Sequence, residues 1–73
     1  MRTIDTCDPI PYSPLIPAME AICSATPGEK LEVILNNASA FSDLKEYLSG
    51  QGIGFREIYN EETMTLQFSI PTK

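Results

Sequence analysis

The chain has no histidine, no tryptophan and only two cysteines, and it carries five basic residues against ten acidic ones. Without histidine and with two thiols it lacks the common zinc ligand sets and any Ser–His or Cys–His nucleophile pair, so neither a metal site nor a hydrolytic triad is expected. The shortage of positive charge excludes more. A net charge of −5 opposes the phosphate backbone of nucleic acids and the surface of an anionic membrane. Arg2, Lys30, Lys45, Arg56 and Lys73 are scattered along the chain and form no basic stripe. Long apolar runs are missing as well: no window approaches the length of a membrane span, and MRTIDTCDP has a charge with no apolar run behind it, so neither signal peptide nor anchor is expected. These absences point to the cytoplasm, where Cys7 and Cys23 stay reduced; a Cys7–Cys23 disulfide is the bland alternative.

What is present is enough for a core. Seventy-three residues, 42% of them hydrophobic and 21% charged, read as one folded domain, 1–73, near the lower size limit for folding without disulfides or metal. A monomer or a weak homodimer through an open sheet edge is expected.

The stretch that carries chemistry is Ile4 to Ile22, IDTCDPIPYSPLIPAMEAI. Arg2 to Thr6 favours a first strand. The elbow from Cys7 to Tyr12 has prolines at Pro9 and Pro11 that push their predecessors into extended conformations, which makes the connection stiff. Ser13-Pro14 reads as the start of a helix, with Ser capping and Pro in the first helical position. Leu15, Ala18, Met19 and Ile22 then fall at i, i+3, i+4 and i+7, an amphipathic stripe that assigns Met19 to the core. Pro17 leaves two starts open, at Pro14 with a loosened first turn or near Pro17 itself. Cys23 lies beside the stripe near the helix end and reads as a small buried side chain.

Further on, Thr26-Pro27-Gly28-Glu29 predicts a type II turn, with Gly28 taking the positive φ. Leu31 to Leu35 predicts an internal strand. Asn36, Asn37 and Ser39 form a polar break with caps for a second helix, whose stripe is Phe41, Leu44 and Leu48, with Tyr47 beside it, closed by Gly50 and Gly52. A third strand is expected from about Ile53 to Tyr59, a turn at Asn60-Glu61-Glu62, and a fourth strand from Thr63 to Ile70. In that last strand Met64, Leu66, Phe68 and Ile70 point one way and Thr63, Thr65, Gln67 and Ser69 the other, towards water. The order βαβαββ, with two helical stripes to bury, predicts an α/β two-layer sandwich with both helices on one sheet face.

That order, with three stretches, resembles the TusA/SirA sulfur-carrier family, small proteins that pass persulfide sulfur between partners. The stretches are the elbow, compared with an Ile-Asp strand leading through Arg-Gly to Cys-Pro-x-Pro; ATPGEKLEVILNN from Ala25 to Asn37; and Ser39 to Gly54. The resemblance implies a four-stranded mixed sheet of order 1-2-4-3 with strand 4 antiparallel to the others. It implies a persulfide sulfurtransferase that needs no cofactor, and protein partners such as a cysteine desulfurase or a downstream sulfur acceptor. One departure stands in the motif: aligned without gaps from Ile4-Asp5, the sulfur-carrying cysteine falls on Pro11, the prolines on Tyr12 and Pro14, and Arg-Gly on Cys7-Asp8.

Two functions follow from this. In one, displaced Cys7 is the sulfur acceptor; a helix N-terminus nearby activates a thiol, whereas Asp8 disfavours thiolate and four residues span up to about 13 Å. In the other, the chain is a degenerate member that serves as a protein-binding or regulatory module. Its contact surface would be Asp8, Pro11, Tyr12, Ser13 and Pro14, with Tyr12 either an interface anchor or a lid over the core.

Overall fold

The computed structural model describes residues 1–7 and 15–71. Four strands and two helices follow in the order β1 (Arg2–Asp5), α1 (Leu15–Ser24), β2 (Lys30–Leu35), α2 (Ala38–Gly50), β3 (Phe55–Tyr59) and β4 (Met64–Ser69). The sheet order is β1-β2-β4-β3, with β1 and β2 parallel and β4 antiparallel to both of its neighbours. This is the expected α/β sandwich with the expected strand order.

Alternation along β2 decides which face is covered. Leu31, Val33 and Leu35 are fully buried and pack in one cluster with Ala18 of α1, with Phe41, Leu44 and Leu48 of α2, and with Leu66 and Phe68 of β4. Both helices therefore lie on that face. Each fully buried leucine or valine stabilises the fold by roughly 1.5–3 kcal/mol relative to an exposed one.

The inward side of α1 differs from the expected stripe. Ala18 and Ala21 are its buried residues, with Leu15 and Ile22 packed against the core. Met19 is half-buried and stands outside that cluster, and Cys23 is exposed, not buried. At 100° per residue Cys23 lies about 140° round the helix from Ala18 and shares the outer side with Ile16 and Met19. Pro17 is the third helical residue, so the helix starts before it. Its missing N–H belongs to the first turn, where amides have no intrahelical partner in any case. The cap expected at Ser13-Pro14 lies outside the described residues.

Local signals set the other boundaries. Gly28 has φ 84° and the Glu29 N–H donates to the Thr26 carbonyl at 3.0 Å, closing the expected turn. Asn37 caps α2, its side chain accepting from the Ala40 N–H at 3.0 Å. At the far end Gly52 has φ 73°; its N–H donates to the Ser49 carbonyl at 3.1 Å, and the Ile53 N–H to the Leu48 carbonyl at 2.8 Å. That pair of bonds is a Schellman closure, with buried Ile53 meeting buried Leu48 in the core. Gly50 is the last helical residue, and the positive φ falls to Gly52.

The uncovered face is less uniformly wet than the Thr and Ser pattern predicts. Thr65 is only 5% exposed because its row across the sheet places it between Ile34 and Ile58. The next row runs Thr3, Glu32, Gln67, Arg56. There the Gln67 amide donates to Glu32 Oε2 at 2.7 Å and the Thr3 hydroxyl to Glu32 Oε1 at 3.3 Å.

Candidate functional site

Cys7 stands two residues past β1, at the carboxyl end of the two parallel strands. The chain there is tied down residue by residue. The Thr6 N–H and hydroxyl both donate to the Ile34 carbonyl, at 2.9 and 2.7 Å, and Thr6 is 4% exposed. The Cys7 N–H donates to Asp5 Oδ1 at 2.9 Å, a side-chain turn that bends the backbone out of the strand direction. The Asn36 amide reaches across from the end of β2 to the Cys7 carbonyl at 3.4 Å. Cys7 is held between two strand ends, and it is half-buried.

The helices bear on this site through topology. A connection between parallel strands must return the chain to the end where it began, so α1 runs back along the sheet from the end that holds Cys7. Helix α2 starts at the same end, at Asn37 just past β2. The positive ends of both helix dipoles thus belong to the Cys7 end of the molecule, an electrostatic setting that favours thiolate and persulfide anions. Cys23 sits one residue before the last residue of α1, about 12 Å from its start at 1.5 Å per residue. Both cysteines are thiols, and they belong to opposite ends of the helix.

Of the residues expected to form the site, the structure describes Cys7. Asp8, Pro11, Tyr12, Ser13 and Pro14 lie outside the described residues. Three further residues define the site that sequence reasoning gave other roles or none: Asp5, Thr6 and Asn36. An Asp at a strand end followed by a non-helical residue is a turn signal that points to the Asp5 bond. Asn36 was expected to cap a helix, and its bond to Cys7 follows from the parallel pairing of β1 with β2, which spacing alone does not specify.

A second feature lies on the outer side of α1. Leu15, Ile16, Met19, Glu20 and Cys23 line an almost wholly apolar depression of about 340 Å³, and Ile16 is 44% exposed. Among the described residues there is no cluster of His, Cys, Asp or Glu able to hold a metal ion, and no helix is long and apolar enough to cross a membrane.

The fold and the site can be set beside known proteins. In a crystal structure, the SirA-like protein from Desulfitobacterium hafniense superposes with a TM-score of 0.77 at 19% identity, over 99% of this chain and 100% of that one; at that identity the likeness is one of fold. No curated protein matches the sequence. The profile of the family described as "Sulfurtransferase TusA" matches residues 2–70, a span that holds Cys7, the whole sheet and both helices, and the chain therefore belongs to the TusA sulfurtransferase family.

Proposed function

We propose that the protein is a sulfur carrier in which Cys7 takes the place of the family's motif cysteine. The reading rests on one observation: a half-buried thiol on a backbone fixed by Thr6, Asp5 and Asn36, at the end of the sheet where both helices begin. The step is a thiol exchange. The Cys7 thiolate attacks the terminal sulfur of a persulfide on a donor cysteine; the donor's S–S bond breaks, its thiolate leaves, and a new S–S bond forms on Cys7. The electron count is unchanged, so no redox cofactor is required. Delivery repeats the exchange with Cys7 as the leaving thiolate. The donor is a cysteine desulfurase and the acceptor a further protein thiol, and both fit the cytoplasm, where free thiols persist.

A second reading is favoured by the apolar outer side of α1, where Ile16 stands 44% exposed beside Met19. In it the chain carries no sulfur and serves as a protein-binding or regulatory module, docking through that side of α1 and the preceding Asp8, Pro11, Tyr12, Ser13 and Pro14.

Intact mass after incubation with a cysteine desulfurase and cysteine separates the two. A gain of one sulfur in the wild type and in Cys23→Ser, absent from Cys7→Ser, is the result expected of the carrier. No gain with desulfurases from several sources overturns it in favour of the binding module.

A further inference from the structure

At the end of the sheet away from Cys7, an open cleft of about 560 Å³ is lined by Lys30, Arg56, Gln67, Ser69, Phe55 and Pro71, among others, and by no acidic residue. Within a chain of net charge −5 this is an anomaly of charge. The four described cations divide in two: Arg2 pairs with Glu29 and Lys45 with Glu57, whereas Lys30 and Arg56 have no ion pair among the described residues. Both unpaired cations belong to the one cleft.

Their register explains how they converge. Lys30 stands opposite Ser69 and Arg56 opposite Gln67, on the two strands that flank β4. That places their Cα atoms about 12 Å apart, two strand spacings across and two residues along. Both project from the uncovered face, and both side chains are long enough to bring their charges together over Gln67 and Ser69. The nearest carboxylate on that face, Glu32, has its two oxygens engaged by Gln67 and Thr3 and does not line the cleft.

We propose that this cleft binds a small organic anion, with a carboxylate or phosphate held between Lys30 and Arg56 and its carbon body against Pro71. The volume falls within the range of small-molecule sites. The charge of the whole chain repels large acidic macromolecules, whereas a small anion responds to the local field of the two cations. An ammonium and a guanidinium give the anion charge-assisted hydrogen bonds, and the Gln67 amide and Ser69 hydroxyl supply neutral partners.

The test is a titration followed by backbone amide NMR at low ionic strength, using inorganic phosphate, phenyl phosphate and benzoate as separate probes. Saturable shifts confined to residues 30, 52–56 and 67–69 are expected. Phenyl phosphate should bind more tightly than inorganic phosphate if the apolar floor contributes, and comparison with benzoate separates phosphate from carboxylate as the preferred head group. Lys30→Gln and Arg56→Gln should each weaken binding by about tenfold, and the double variant should abolish it. Both residues are exposed, so the variants are expected to fold, and their amide spectra check that directly. Shifts that do not saturate, shifts centred elsewhere, binding unchanged in the double variant, or saturable binding of an oligoglutamate peptide but of none of the small probes would overturn the proposal.

Discussion

The two ends of the sheet share one backbone frame and differ in chemistry. At the carboxyl end of β1 and β2 stand Cys7, the Asn36 bond to its carbonyl and the Asn37 cap. At the amino end, about 17 Å along β2, stand Lys30, Arg56 and the Arg2–Glu29 pair. Three of the four described cations collect there although they are far apart in sequence, because β2 starts where β3 starts and β4 ends. Charge that reads as scattered along a chain becomes local once antiparallel pairing folds it. A sheet of six-residue strands is long enough to hold Cys7 well apart from Lys30 and Arg56.

The largest effect expected is the complete loss of sulfur loading in Cys7→Ser, with loading retained in Cys23→Ser, read by intact mass. It breaks the comparison if Cys23 proves to be the loaded thiol, since that residue belongs to the other end of α1. Next in size is Gly52→Ala, towards the amino end. No atom lies within 4 Å of the Cβ it would add, so the cost is that of holding a side chain at φ 73°, about 1–2 kcal/mol by denaturant unfolding. A much larger loss would mean that the closure of α2 also positions Ile53 in the core.

Most of the fold was legible because each signal was local and had one reading. The β4 alternation, the Pro27-Gly28 turn and the Phe41, Leu44, Leu48 stripe each named the structure they form, and the strand order came from family resemblance. The site was legible in part. Cys7 could be singled out as a thiol beside a helix start, but its anchors Thr6 and Asn36 depend on pairing between strands 29 residues apart in register. Met19 and Cys23 were misplaced for a packing reason. The α1 stripe could be drawn through 15, 18, 19, 22 or through 15, 18, 21, 22, and the structure turns the small Ala21 inward, which rotates Met19 out of the core.

A smaller effect sharpens the contrast from the other end. Asn37→Ala removes the side-chain acceptor for the Ala40 N–H and should cost about 1 kcal/mol. Because Asn37 adjoins Asn36, the useful second readout is the rate of sulfur loading. If the start of α2 supports the Cys7 site, that rate falls together with stability; if it does not, stability alone falls.

The smallest effects are in pH dependence, and they differ between the ends. Glu29, at the amino end, is held below its ordinary 4.5 first by the Thr26 N–H, with Arg2 assisting. Glu57, towards the carboxyl end, is held below 4.5 first by the Tyr59 hydroxyl and then by Lys45. A depressed carboxyl stabilises the fold above its unfolded value and loses that contribution as the pH falls through its folded one. Glu29→Gln and Glu57→Gln should therefore both narrow their gap from wild type as the pH drops below about 4.5. Only Glu57 has an alkaline counterpart, since its bond raises Tyr59 above 10. A raised phenol stabilises below its unfolded value and loses that contribution as the pH rises through the folded one. Denaturant midpoints measured from pH 3 to pH 11 should thus show Glu57→Gln converging with wild type at both extremes and Glu29→Gln at the acid extreme alone. Convergence of Glu29→Gln at high pH as well would mean that its pairing with Arg2 is linked to the far end of the sheet, and the two ends would then not be independent.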